Sequence, residues 1–172
     1  MSKKVGIITM CDSFLLNIRD SFTKLGFETR EFKPNGVEQY DAWNTKDLVD
    51  WADVLFCEFC QHPLHMLTAK KLPKPIIARL WRCELYNQKY FNSINWSNID
   101  LLLVAGSNLL SNFKKLRRDK SMPGRIIPFS GPVVHERYLY KDRSYSEPYN
   151  LCIVGNVIPR KRVFDAVQLL LD

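Results

Sequence analysis

Four side chains of the types that bind zinc stand close together between positions 57 and 65. Cys57 and Cys60 are followed by His62 and His65, which gives the spacing C-x2-C-x-H-x2-H. In a zinc finger a loop of about a dozen residues separates the two ligand pairs, whereas one residue separates them here. We therefore predict no metal at this segment. His62 or His65 is a candidate for proton transfer or ligand binding, and the alternative is a structural or exposed role.

A second polar group follows an apolar run, in the segment RLWRCE at positions 79–84. Two arginines, an indole ring and a carboxylate at the end of a strand suit a polar ligand such as a sugar, since Arg binds anions through paired hydrogen bonds. The alternative is an Arg–Glu pair with the indole packed on the core. The candidate ligand-binding residues are therefore Arg79, Trp81, Arg82 and Glu84, together with His62 and His65.

The stretch at positions 150–171, NLCIVGNVIPRKRVFDAVQLLL, predicts a strand, a basic loop and a helix. Gly155 and Asn156 break the apolar run, and Lys161 precedes the helical pattern. A turn of this kind directs backbone N–H groups and the positive end of a helix dipole to one place, which suits a phosphate. The alternative is an ordinary strand–helix connection with a solvated basic loop.

A basic cluster lies late in another predicted helix, which we expect Ser107 to cap and which runs to about position 118. Cations are favourable near a helix C-terminus, so a solvated face is one interpretation and a membrane-surface patch is the other. No aromatic residue is interleaved with the basic ones, so nucleic acid is not an expected partner. The cluster, which continues into the following loop, consists of Lys114, Lys115, Arg117, Arg118, Lys120 and Arg125, and the first four are the candidates for membrane contact.

The composition indicates a globular chain with a real core. Of its 172 residues 46% are hydrophobic and 12% aromatic, and 25 Lys and Arg against 18 Asp and Glu give a formal charge of +7, which favours anionic partners. The five cysteines are an odd number, which is typical of free thiols in a reducing compartment. The apolar runs are too short for a signal peptide or a membrane span, so we expect a cytoplasmic protein, with peripheral membrane contact as an option.

Apolar, strand-like runs alternate with helical patterns along almost the whole chain. Strands are predicted at positions 5–10, 27–32, 52–56, 76–80, 99–104 and 126–127, and one aromatic-rich helix at 84–94. This alternation predicts an α/β fold with an open, doubly wound parallel sheet, which is Rossmann-like. We place a first domain at 1–131, a linker at 132–149, and the first strand and helix of a second domain at 150–172.

The order of these segments resembles the N-terminal half of a GT-B glycosyltransferase of the large retaining "group 1", family 4-like class. WADVL at 51–55 resembles its "ADV" strand, and KPIIARLW at 74–81 resembles "P-V-V-x-T-x-H". IDLLLVAGS at 99–107 is similar to "D-x-V-I-x-x-S", and the segment at 125–131 to one that contains "I-P-N-G-V-D". IVGNVIPRK at 153–161 is the most specific match, to "F-V-G-R-L-x-x-x-K-G".

The chain also departs from this pattern at several positions. The first loop lacks the common Gly-Gly pair, Trp81 stands where many members have His, and Asn156 and Arg162 replace Arg and Gly of the last motif. The resemblance implies an acceptor-side domain that is truncated just into the donor-side domain, without its acidic motif. It further implies acceptor contacts through the six candidate ligand-binding residues and contacts to donor phosphate through Gly155, Asn156 and Lys161.

We therefore expect a glycosyltransferase, as a fragment or half-enzyme, that transfers a sugar from a nucleotide-sugar donor to a saccharide or lipid-linked acceptor, with surface polysaccharide synthesis as one setting for this reaction. The donor is a substrate, and no cofactor is expected. We expect the 172-residue chain alone to be inactive, with a C-terminal half or a second copy as a possible partner, and the sequence identifies no catalytic residue. The alternatives are a non-catalytic domain of this fold that binds a ligand or protein, and a basic nucleic-acid-binding module.

Overall fold

The protein is described from a computed structural model, which covers residues 3–11, 15–33, 42–86, 88–118 and 120–130, together with 165, 167 and 168. The chain forms two compact units, Met1–Val134 and His135–Asp172. The boundary between these units lies inside the predicted linker at 132–149. The helices and strands with defined bounds all belong to the first unit.

Six strands of the first unit form one sheet, in which every pair of neighbours is parallel. Their order across the sheet is β2-β1-β3-β4-β5-β6. The predicted open α/β fold is thus confirmed. Strands buried on both faces of a parallel sheet are continuously apolar, which explains runs such as KVGII and LLLVA. The strands are β1 Lys4–Ile8, β2 Glu28–Phe32, β3 Val54–Glu58, β4 Ile76–Leu80, β5 Leu101–Ala105 and β6 Arg125–Phe129.

Helices connect the strands and cover both faces of the sheet. On one face the first helix packs through Ile18 and Phe22 against Val5, Ile7 and Phe56. On the other face the remaining helices share a larger core. The helices are α1 Leu16–Lys24, α2 Ala42–Trp51, α3 His62–Thr68, α4 Arg82–Tyr86, α5 Gln88–Phe91 and α6 Ser107–Leu116, with a 3-10 helix at Trp96–Asn98.

The larger core is built around aromatic rings. Trp96 and Phe113 are fully buried, and their ring centroids lie 4.9 Å apart. The Phe91 ring lies 5.0 Å from Trp96, so α5, the 3-10 helix and α6 meet at one place. The hydrogen bond of 3.1 Å from Trp96 Nε1 to the carbonyl of Phe91 satisfies the indole N–H inside this core.

Close packing of α2 against the sheet depends on a glycine in β1. A Cβ atom at Gly6 would lie 3.0 Å from Cβ of Ala52 and 3.1 Å from side-chain atoms of Leu48 and Leu55. The missing side chain at position 6 therefore lets the helix approach the strand.

The predicted bounds of one helix and one strand, and the predicted N-cap of another helix, differ from those in the structure. The helix predicted at 84–94 is two short helices, α4 and α5. Strand β3 was predicted at 52–56 but extends to Glu58. The predicted capping by Ser107 is also wrong, because the N-cap residue of α6 is Gly106, at φ +93°, which has no side chain.

Candidate functional site

Two charged side chains lie side by side where β3 and β4 end. The parallel register pairs Glu58 with Arg79, so both side chains leave the same face of the sheet. Arg79 Nη1 is 3.0 Å from Glu58 Oε2, and each side chain is at most 1% exposed. Ligand sites in open α/β folds lie at this carboxyl edge, so the ion pair marks a candidate site.

Aromatic rings enclose the Arg79 guanidinium. The rings of Trp81 and Phe129 each lie 4.8 Å from it, and the two rings meet edge to face at 5.5 Å. Trp81 Nε1 also donates a hydrogen bond of 2.6 Å to Glu58 Oε1. Both rings are only half-buried, so the charged pair is covered by an aromatic surface on which the apolar face of a sugar ring could stack.

A second buried carboxyl group lies in the first turn of the next helix, α4. Glu84 is 2% exposed, and its Oε2 accepts a hydrogen bond of 2.8 Å from the backbone N–H of Trp81. Burial raises the pKa of Glu84 to about 8, although backbone hydrogen bonds from Trp81 and Cys60 act in the opposite direction. This carboxylate therefore fixes the backbone that carries the Trp81 indole.

Burial also governs the ionisation of the Glu58–Arg79 pair. It raises the pKa of Glu58 to about 7, although Arg79 and the Trp81 hydrogen bond favour the ionised form. Burial likewise lowers the pKa of Arg79, which the neighbouring carboxylate partly restores. The ionisation of Glu58 therefore depends on two opposing effects, its burial and the cation and indole N–H beside it.

The two predicted metal-type cysteines are core residues. Cys57 and Cys60 are buried free thiols, and burial raises the pKa of each. Cys60 Sγ lies 3.4 Å from the carbonyl of Arg79, and Phe59 between the cysteines has φ +78°. In the described part of the chain no three His, Cys, Asp or Glu side chains could jointly hold a metal ion. The absence of zinc stays a prediction.

The side chains of the two candidate histidines, His62 and His65, contact α5 and the residues just after it. His65 Nδ1 is 3.0 Å from the carbonyl of Ser93, and the His62 ring lies 5.3 Å from that of Tyr90. The His62 and His65 rings are 6.3 Å apart. These contacts place both histidines between α3 and the α5 region, so the structure brings together Arg79, Trp81 and Glu84 and leaves the histidines as a separate pair.

The remaining predicted residues fall into three groups. Arg82 is exposed and lines a cleft beside the N-terminus of α6. Arg117 is 5% exposed and donates a hydrogen bond of 3.0 Å to the carbonyl of Ser121, whereas Lys114, Lys115 and Arg118 are exposed. Arg117 therefore has a structural role, and membrane contact through the other three stays a prediction. The donor-side residues Gly155, Asn156 and Lys161 lie outside the described residues.

The predicted site residues do not include Glu58 or Phe129, which complete the site. Both lie at the ends of strands that were predicted too short, at 52–56 and 126–127. A carboxylate at the end of the apolar run VLFCE is a signal that could have extended β3, since a buried charge needs a partner. Nothing local in the sequence indicates that Arg79 is this partner, because their contact depends on the register between strands.

Comparisons with protein-family models, with curated proteins and with solved structures find no match to this chain. Among the described residues no helix is long and apolar enough to cross a membrane.

Proposed function

We propose that the chain is the acceptor-side domain of a glycosyltransferase, present as a fragment or half-enzyme. The observation that carries the proposal is the Glu58–Arg79–Trp81 cluster at the carboxyl edge of the sheet. It combines charged groups with a half-buried aromatic surface, and sugars are bound by such combinations of polar groups and rings. The parallel α/β fold supports the proposal, and so do the motifs that resemble the GT-B class.

In this proposal the cluster holds the acceptor and the donor sugar comes from a nucleotide sugar. Trp81 supplies the stacking surface, and Arg79 keeps Glu58 and the two rings in place. Glu58, which is buried and bound to both Arg79 and the indole N–H, would hold the Trp81 ring in position beneath the acceptor. Gly155, Asn156 and Lys161 would contact the donor phosphates, and cytoplasmic location is part of the same proposal.

Saccharide binding to the full chain tests this function most directly. Saturation-transfer NMR with a panel of mono- and disaccharides is expected to detect binding to the unmodified chain. Trp81→Ala should weaken that binding by about tenfold or more, since it removes the stacking surface. Trp51→Ala is the matched control, because Trp51 packs against Lys4 and Arg30 and not against the cluster. Equal loss in both variants, or no saccharide binding, would contradict the proposal.

A transfer assay distinguishes the half-enzyme from the second candidate, a non-catalytic saccharide-binding domain. The latter is favoured by Trp81, because an indole N–H cannot exchange a proton near neutral pH as the imidazole of many family members can. The half-enzyme predicts no turnover of nucleotide sugar by the chain alone. It predicts sugar transfer once a donor-binding C-terminal half is added in trans. Saccharide binding without transfer under both conditions would favour the non-catalytic domain.

A further inference from the structure

A polar cleft of about 700 Å³ lies beside the candidate site, between the start of α4 and one side of α6, from Gly106 before the helix to Lys115 in its last turn. Its size falls in the range of small-molecule sites. Leu85, Leu109 and Ala105 are its apolar lining residues. The polar side chains that line it are those of Arg82, Ser107, Asn108, Ser111, Asn112 and Lys115.

The polar residues of α6 lie on one side of the helix because of their spacing. Asn108 precedes Ser111 and Asn112 by three and four positions, and Lys115 follows them by four and three, so these side chains form one continuous stripe. Leu109 and Phe113 are buried and attach the helix to the core. The stripe therefore stays exposed in the cleft without a packing role, although it consists of groups that donate hydrogen bonds.

The charges of the cleft favour an anion. Arg82 and Lys115 contribute two cations from two different elements, and no carboxylate is among the described residues that line the cleft. The N-terminus of α6, whose N-cap residue Gly106 has no side chain and lines the cleft, adds the positive end of a helix dipole at the end of the helix opposite to Lys115. Hydroxyl and amide groups between two cations suit a ligand that carries both hydroxyls and a negative charge.

We infer that this cleft binds a phosphorylated saccharide, with the phosphate between Arg82 and Lys115 and the sugar hydroxyls along the polar stripe. The choice of a saccharide rests on the proposed function. The choice of an anion rests on the two cations and the absence of a carboxylate from the described lining. The acceptor would then be a sugar phosphate, or a lipid-linked sugar whose phosphate occupies the same place.

Two neighbouring lysines of α6 provide a matched pair of variants. Lys115 lines the cleft, whereas Lys114 is exposed and does not line it. Lys115→Gln and Lys114→Gln remove the same charge from adjacent exposed positions, so neither is expected to disturb folding. Calorimetric titrations with a hexose 1-phosphate, with the same hexose and with inorganic phosphate would be made on both variants and on the unmodified chain.

The hexose 1-phosphate is expected to bind the unmodified chain more tightly than either the hexose or inorganic phosphate. Lys115→Gln should weaken this binding by about tenfold or more, as expected for one charge-assisted contact, and Lys114→Gln by less than about twofold. Amide shifts of Gly106 to Leu109 in ¹⁵N-resolved NMR should move on addition of the sugar phosphate. Equal weakening in both variants, or equal affinity for sugar phosphate and inorganic phosphate, would overturn the inference.

These titrations separate this inference from the proposed function. If sugar-phosphate binding depends on Lys115 but the chain never supports sugar transfer, the assignment of the cleft stands and the glycosyltransferase proposal is contradicted. Saccharide binding that depends on Trp81, without any effect of Lys115, would keep the proposed function and remove the cleft.

Discussion

The guanidinium of Arg79 lies 3.0 Å from the carboxylate of Glu58, on adjacent strands and shielded from solvent. Moving two charges out of water costs free energy that their attraction only partly returns. The presence of this buried ion pair therefore says little about the stability of the fold, and it is better explained by a specific role at the site. The loss of one partner is far more costly than replacement of both, because it leaves a buried charge alone.

Arg79→Met is expected to lower the free energy of unfolding by about 3–5 kcal/mol, because Glu58 then stays buried without its cation. The double variant Glu58→Leu with Arg79→Met should recover most of that loss. Urea unfolding followed by circular dichroism measures both values.

The exposed ion pair of Arg19 and Glu31 is the control for that experiment. Arg19 is 34% exposed, so Arg19→Met should cost no more than about 1 kcal/mol. If Arg79→Met lowers the free energy of unfolding as little as Arg19→Met does, Arg79 and Glu58 are not energetically coupled.

Trp81→Phe tests the indole hydrogen bond to Glu58. The ring over Arg79 is kept, and only the Nε1 donor is lost. Since the pKa of Glu58 is about 7, the bond goes to a neutral acceptor in acid and to a charged one in base. The loss of unfolding free energy caused by Trp81→Phe should therefore rise from about 1 kcal/mol near pH 5 to about 1.5–3 kcal/mol near pH 9. Chemical unfolding at both pH values measures it, and a cost independent of pH would contradict this assignment.

The stability of the protein should fall as the pH rises from about 4.5 to about 8. In this window the folded chain binds more protons than the unfolded one, since burial raises the pKa of Glu84 to about 8 and of Glu58 to about 7. Ionisation of these groups therefore favours unfolding.

Glu84→Gln should reduce this dependence on pH, because Gln keeps the acceptor for the Trp81 N–H and cannot ionise. The comparison is the change in unfolding free energy between the two ends of the window. Glu28→Gln, at an exposed position of β2, serves as the control and should leave the slope as in the unmodified chain. An unchanged slope in the Glu84 variant would show that this carboxylate is not the titrating group.

Gly6→Ala is expected to destabilise the fold by about 1–3 kcal/mol, as overpacking does elsewhere. The new methyl group would meet Ala52 Cβ at 3.0 Å and two leucine side chains, Leu48 and Leu55, at 3.1 Å. Thermal unfolding monitors the change. A midpoint equal to that of the unmodified chain would mean that α2 shifts away from the sheet at no cost.

The sequence predicts the sheet well because its strands are buried on both faces. Strand β4 has the predicted bounds, Ile76–Leu80, since Pro75 precedes it and a polar segment follows it. The continuous apolar character that marks such strands is a local property, and the periodicity of the intervening helices is local too.

The candidate site was predicted only in part. Arg79 lies in β4 and Trp81 and Glu84 follow that strand directly, so their sequence neighbourhood is enough to group them. Glu58 and Phe129 join them from other strands, through a register that sequence periodicity does not encode. His62 and His65 follow β3 closely in the sequence, which suggests that they belong to the same site. Helix α3, however, turns both side chains toward Tyr90 and Ser93.

The sheet order has a consequence for self-association. In the described part of the chain, β2 and β6 are the outer strands, and an exposed outer strand can recruit the strand of another molecule. Strand β2 reads ETREF, with alternating charges, and β6 contains Pro128, which has no N–H to donate. Pro128→Val should therefore increase light scattering on mild heating. Both margins of this sheet thus carry features that oppose edge-to-edge aggregation.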